Sequence, residues 1–246
     1  MRSEYYSGTS NVVLPVPNKL AFPEAYQHKS RLCYYGSLFN SVEINSTFYK
    51  LPLSKTVARW AEEVPAGFRF TFKMWKEITH NKGLAFKPAD VQRFFEVINA
   101  CTKKGCLLIQ FPASIRFDSF RQLELLLDNI RRHDPLWQLH IAVEFRHMSW
   151  YNEQTYRMLQ KFAVGMVTHD MKTSATPLME PLADFAYLRF HGPEGGYRGS
   201  YADEVLAEYA SYINEWLDEG KTVYTYFNNT LGDALTNLIT LNNFVA

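Results

Sequence analysis

Short runs in which apolar and polar residues alternate recur along the chain, and most are followed by a stretch of helical periodicity. The run HIAVEF at 140–145 sets the type. Ile141, Val143 and Phe145 fall on one face of an extended ribbon, and Ala142 and Glu144 on the other. Comparable runs at 4–10, 41–49, 68–75, 106–112, 164–170, 185–192 and 221–229 predict eight strands in all. Helices are predicted over 54–65, 87–105, 119–133, 152–163, 200–220 and 230–241. Their punctuation is plausible: Pro88 suits a first helical position and Gly105 a helix terminus. Ser200 with Asp203, and Thr230 with Asp233, have capping-box spacing.

Strands that alternate with helices pair in parallel through right-handed crossovers, and eight such units fill a chain of this length as a closed barrel. The expected fold is α/β, a single-domain (β/α)8 TIM-type barrel over residues 1–246. An open doubly wound sheet has the same alternation but normally carries a glycine-rich first turn, which SGTSN is not.

In a parallel barrel, alternate residues of a strand face the helices and the interior, and the last interior positions open at one mouth. Val42 and Ile44 then point outward while Glu43 and Asn45 point inward. In the same way Thr71 and Lys73 oppose three phenylalanines in FRFTFK. Gln110, Glu144 with Arg146, Arg189 with His191, and Tyr226 with Asn228 take matching places. Six strands thus send polar groups toward one end, which a wet sheet edge would not require. Any single charge among them is as well explained by a structural ion pair; the cluster points to a site.

Composition limits what such a site binds. Lys+Arg 26 against Asp+Glu 25 leaves a net charge of +1, so no overall basic field attracts nucleic acid or an anionic membrane. With 47% hydrophobic and 21% charged residues the chain reads as globular. No apolar run is long enough to span a membrane, and MRSEYYSGTSN does not read as an export signal. With three cysteines in no framework spacing, a cytoplasmic location is expected.

FNSVEINSTFYKLP, FTFKMWKEITH, LLIQFP, AVEFRHMSW, YLRFHGP and YFNN resemble, in that order, the YecE-like family, domain of unknown function 72. The resemblance runs from Tyr34 to Asn242 and implies a TIM barrel of unestablished activity in a mostly prokaryotic, cytoplasmic family. The family's polar signature falls on Glu43, Asn45, Tyr49, Lys73, His80, Gln110, Glu144, Arg146, Trp150, Arg189, His191, Asn228 and Asn229. Relatives usually carry tryptophan and tyrosine in the first loop, where this chain reads GTSNVVLPVPNKLAFPEAYQ.

Lys73, Arg146 and Arg189 at one mouth favour an anionic, phosphorylated or nucleotide-like ligand, because guanidinium forks match phosphate and carboxylate oxygens. In that reading Glu144 or Glu43 serves as general base or acid and His191 carries the proton. Asn45, Tyr49, Lys73, His80, Gln110, Arg146, Trp150, Arg189, Asn228 and Asn229 would bind the ligand, and no cofactor or metal is needed. Three alternatives compete. A metal-dependent phosphodiesterase or endonuclease-like barrel would place a divalent ion among Glu43, Glu144, His169, Asp170 and His191. A glycosidase would pair Glu43 with Glu144 and stack a sugar on Trp75 or Trp150. A non-catalytic module would hold a short nucleic acid. The loop PEGGYRGSY is a candidate mobile cover with Arg198 as a clamp.

Overall fold

A computed structural model describes residues 4–246, so three residues of the expected 1–246 unit lie outside it. Strands and helices alternate as the hydrophobic pattern requires. The first half comprises β1 (Tyr5–Thr9), α1 (Arg31–Leu38), β2 (Ser41–Ile44), α2 (Ser46–Tyr49), α3 (Ser54–Glu62), β3 (Arg69–Lys73), α4 (Lys76–Thr79), α5 (Pro88–Ile98) and β4 (Lys104–Gln110). Then follow α6 (Phe120–Arg132), β5 (His140–Glu144), α7 (Glu153–Lys161), β6 (Val164–Met166), β7 (Thr168–His169), β8 (Phe185–Phe190), α8 (Asp203–Asp218), β9 (Thr222–Phe227) and α9 (Ala234–Phe244).

All pairings between these strands are parallel, and they form two sheets, ordered β1-β9-β8-β7 and β2-β3-β4-β5-β6. A closed hydrogen-bonded ring of eight strands is therefore not what the described residues form. At one seam the sheets touch through a parallel bridge between Ser10 and Glu43, and Asn11 N–H donates to the Glu43 carbonyl at 2.7 Å. At the other, the single strand expected at 164–170 divides. Val167 N–H still donates to Val143 O, and from Thr168 the chain pairs with Leu188 and Arg189 instead.

The faces of the strands sort as the alternation predicts. Val42, Phe70, Phe72, Ile141, Val143 and Phe145 pack in one apolar cluster with α5 residues Val91, Phe94 and Phe95 and α6 residues Leu123, Leu126 and Leu127. Leu188, Val223 and Phe227 pack under Leu206, Ile213, Trp216 and Leu238 of α8 and α9. The opposite faces of both sheets share a third cluster of Tyr6, Cys106, Leu108, Ala142, Phe185, Tyr187, Tyr224 and Tyr226. Here the phenols find partners across the sheets: Tyr226 Oη lies 2.5 Å from Ser41 Oγ and 2.8 Å from Thr71 Oγ1. Buried Tyr hydroxyls need such partners, and these fix the register between the two sheets.

Several local expectations need correction. The strand expected over 41–49 stops at Ile44, because Asn45 turns into α2. Gly105 does not end α5, which closes at Ile98 and Asn99. It lies in β4, where a Cβ would sit 2.9 Å from Arg69 Cβ. Neither expected capping box forms: α8 starts after Ala202 and α9 after Asp233 without side-chain caps, and Ser200 Oγ accepts from Asn237 instead. Pro88 does open α5. No helix is long and apolar enough to cross a membrane among the described residues.

Candidate functional site

The parallel arrangement puts the C-terminal ends of β2, β3, β5, β8 and β9 on one side, where the inward periodicity delivers polar side chains. Glu43, Lys73, Glu144, Arg189 and Tyr226 are the last inward residues of their strands, and Asn45, Arg146, His191 and Asn228 lie two residues beyond Glu43, Glu144, Arg189 and Tyr226. A cavity of about 250 Å³ opens there, lined by Asn11, Asn45, Tyr49, Lys73, Arg146, Arg189, Tyr197 and Asn228. Of four larger hollows, one includes His169 and Asp170, named above for the metal alternative, and the other three contain none of the expected site residues.

Beneath the cavity lies a buried ionic cluster with Arg189 at its centre. Its Nε and Nη2 donate to Glu43 Oε2 and Oε1 at 2.8 and 2.7 Å, and its Nη1 donates to Glu144 Oε2 at 2.6 Å. Glu43 also accepts from Ser10 Oγ and Tyr187 Oη, both at 2.7 Å, so each of its oxygens holds two donors. The second oxygen of Glu144 accepts from Arg146 Nε. Burial alone would raise both carboxyl pKa values. The Arg189 charge and hydrogen bonds outweigh it at Glu43, and the charges of Arg146 and Arg189 do so at Glu144, so Glu43 lies below and Glu144 well below the ordinary range. The two carboxylates in turn overcome the burial of Arg189 and raise its pKa.

His191 completes the cluster, and its tautomer follows from its neighbours. Nε2 lies 2.9 Å from Arg146 Nη2 and 3.1 Å from Arg189 Nη1, which can only donate, so Nε2 is the acceptor. The proton then sits on Nδ1, 3.4 Å from Asp170 Oδ1. Burial lowers the His191 pKa, opposed by Asp170 and Glu144 and assisted by both arginines, so the ring is held neutral. Asp170 also accepts from the His191 backbone N–H at 2.9 Å and from Tyr201 Oη. In this state Glu43, Glu144 and His191 are fully buried, and none lines the cavity. Glu43 is saturated with donors, each Glu144 oxygen holds an arginine, and the unpartnered His191 Nδ1 faces Asp170, so the groups expected to act as acid and base are not presented to the cavity.

Lys73 is different. It lines the cavity and forms no ion pair or hydrogen bond through Nζ among the described residues; Nζ lies over the Phe48 ring, 4.4 Å from its centroid. Burial and the Arg189 charge bring its pKa down from 10.5 to about 8, against the pull of Glu144 and Glu43. His80 packs edge-on against the same Phe48 ring, at 4.8 Å between centroids, and Thr79 Oγ1 holds its Nδ1 at 2.8 Å. Burial, with the charges of Lys73 and Lys76, lowers the His80 pKa to about 4.

Of the other expected ligand residues, Asn45, Tyr49, Arg146 and Asn228 join Lys73 and Arg189 in the cavity wall, whereas His80 and Gln110 do not. Trp150 and Asn229 need reassignment. Trp150 is fully buried, stacks on Phe145 at 4.7 Å and donates Nε1–H to Ile115 O at 2.9 Å, so it offers a ligand no face. Asn229 donates to Gly199 O and Asn237 Oδ1, each at 3.0 Å, and ties the 192–200 loop to α9. In that loop Tyr197 reaches the cavity, whereas Arg198 is exposed and its carbonyl packs on Gly192, where a Cβ would lie 2.1 Å away. Asn11 went unnoticed in the sequence although it lies two residues beyond β1; its Oδ1 accepts from Asn45 N–H at 3.1 Å. No three His, Cys, Asp or Glu side chains come together to hold a metal among the described residues.

Known proteins share this architecture. The chain is 25% identical over 250 residues to the UPF0759 protein YunF of Bacillus subtilis, covering 88% of this chain and 86% of that one. It is 30% identical over 158 residues to the UPF0759 protein YecE of Escherichia coli O157:H7, covering 61% and 56%. The crystal structure of a DUF72 family protein of Enterococcus faecalis V583 superposes with a TM-score of 0.81 at 20% identity, covering 98% of this chain and 95% of that one. The model of the family described as "Protein of unknown function DUF72" matches residues 7–246, and with nearly the whole chain so matched, the protein belongs to the DUF72 family.

Proposed function

We propose that the cavity at the strand ends binds a small anionic ligand, phosphorylated or nucleotide-like. The observation that carries this is its wall: three cationic side chains, Lys73, Arg146 and Arg189, and no carboxylate. Both neighbouring glutamates are turned away and neutralised by arginines, leaving the Lys73 charge uncompensated at the cavity. Asn11, Asn45 and Asn228 add amides able to donate to oxyanions. At about 250 Å³ the space lies below the roughly 300–1,000 Å³ of drug-sized sites, which favours a compact ligand. Tyr49, 68% exposed, and Tyr197, 38% exposed, rim the opening and suit a base or sugar ring attached to the phosphate.

The supporting frame is read as one domain whose two sheets curl into a (β/α)8 barrel with the cavity at its C-terminal mouth. In favour are the interior cluster shared by both sheets, the Ser10–Glu43 bridge at one seam and the direct passage from β6 to β7 at the other. Three free cysteines suit a reducing cytoplasm. The metal-dependent alternative has no ligand cluster to support it, and the glycosidase alternative lacks a carboxylate able to change its protonation state at the cavity.

A thermal-shift comparison of the wild type and Lys73→Met tests the reading, using inorganic phosphate, pyrophosphate, sugar phosphates, nucleoside monophosphates, short oligonucleotides, neutral sugars, Mn²⁺ and Zn²⁺. A ligand at 100 times its Kd adds about 2.7 kcal/mol. Stabilisation by phosphorylated compounds in the wild type and its loss in Lys73→Met are expected. A response only to neutral sugars or only to metals overturns the proposal.

A further inference from the structure

We propose that Lys73 is a carbonyl-trapping nucleophile, and that the anion the cavity takes is a phosphorylated aldehyde or ketone bound as an imine on Lys73 Nζ. This rests on the anion reading above and names its ligand class. The backbone at the end of β3 is pinned, since Lys73 O accepts from Thr47 Oγ1 at 2.7 Å and Met74 N–H donates to Leu108 O at 2.8 Å. The side chain therefore enters the cavity from a fixed base. The groups facing Nζ from the neighbouring elements are Glu43 on β2, Glu144 and Arg146 on and after β5, Arg189 on β8 and His80 after α4. Arginines occupy both glutamates, His80 is held neutral, and Nζ lies over the Phe48 π face.

An amine in this setting lacks the counter-ion that ordinarily keeps lysine protonated, and with a pKa of about 8 a useful share is neutral near pH 7.5. The rest of the wall supplies what a phosphorylated carbonyl compound needs. Arg146 Nη1 has no hydrogen-bond partner among the described residues, and Asn45 Oδ1 is buried without one, an amide end that turns to donate or accept. Phosphate on Arg146 and the amides leaves the carbonyl carbon to Lys73. The neutral Nζ adds to that carbon, the C=O π pair moves to oxygen, and nitrogen loses a proton as oxygen gains one. Loss of the oxygen as water, with uptake of one further proton, leaves a protonated imine. No oxidant or reductant is consumed.

The experiment incubates the full chain with glycolaldehyde phosphate or dihydroxyacetone phosphate, reduces any imine with sodium cyanoborohydride, and maps the adduct by peptide mass spectrometry. The wild type is expected to be labelled at Lys73 at least tenfold faster than at any other lysine. Labelling should rise with pH through about 8 and fall with added inorganic phosphate. Lys73→Arg has no condensing amine, so the adduct should disappear in it, while inorganic phosphate should shift the melting temperature of the wild type. Labelling spread evenly over surface lysines, or no adduct in a wild type that phosphate stabilises, overturns the carbonyl proposal and leaves anion binding standing. Neither stabilisation nor adduct overturns both.

Discussion

Arg189 and Lys73 stand at neighbouring strand ends, both cationic and both mostly withdrawn from water, yet their surroundings differ in kind. Every outward nitrogen of Arg189 is committed, to Glu43, Glu144 or His191, and the carboxylates answering it are themselves filled by Ser10, Tyr187 and Arg146. Lys73 has an aromatic face and a cavity. A buried ion network is tolerable only when each member is satisfied, so the first region is built to stay as it is. An unpaired cation beside open space is tolerable when something from solution completes it. The contrast separates scaffold from site where residue type alone does not.

The largest effect that breaks or confirms this contrast is on stability. Arg189→Met leaves two fully buried carboxylates without their principal partner and is expected to cost about 3–5 kcal/mol, read from urea unfolding. Lys73→Met removes a charge that burial disfavours and is expected to leave stability unchanged or higher. Equal losses in the two variants would sink the distinction.

Acid titration sharpens the same comparison. Glu43 and Glu144 have folded pKa values depressed below their unfolded ones, so the stability they contribute is complete above the ordinary carboxylate pKa near 4. It is lost as pH falls through the depressed values. Lys73 has its folded pKa lowered to about 8, so its contribution is present above its ordinary 10.5 and is lost as pH falls toward 8. Urea unfolding across pH should show Glu144→Gln flattening the acid limb and Lys73→Met flattening the alkaline one. Exchange of the two limbs between the variants would contradict the assignment.

A smaller loss is expected from His191→Phe, which removes the acceptor for two arginine N–H groups, at about 1–3 kcal/mol. Phosphate stabilisation should persist in it. If binding vanished while the fold held, His191 would belong to the ligand site after all.

Much of the fold was legible because one face of each strand is uniformly apolar. Ile141, Val143 and Phe145 lie under the helices and Ala142 faces inward, as the period of two requires. Helix α1 was missed: RLCYYGSL carries no clean helical stripe, and its start depends on Ser30 accepting from Cys33 N–H at 3.0 Å. The division of the strand at 164–170 was also hidden, since which sheet Thr168 and His169 join is decided by β8, far along the chain. At the site, alternation told which side chains point inward but not which neutralise one another. Two residues of the same charge, Arg189 and Lys73, therefore looked alike, and Asn11, with an ordinary amide in an ordinary loop, gave no signal.

Trp150 supplies the last and smallest test, because its proximity to Arg146 and His147 in the sequence suggested a ligand platform that packing denies. Its indole lies between Phe145, Phe111 and Phe117, and its N–H is spent on Ile115 O. Trp150→Phe keeps an aromatic ring in the stack but frees a buried carbonyl and a small volume, for an expected cost of about 1–2 kcal/mol. The melting-temperature shift produced by phosphate should match the wild type's. Tyr49→Ala should do the reverse, leaving the fold intact and weakening a nucleoside monophosphate relative to inorganic phosphate, since the Tyr49 ring is exposed at the cavity rim. If Trp150→Phe weakened the ligand and Tyr49→Ala did not, the ligand's aromatic contact would have to come from the core side of the mouth and not from its rim.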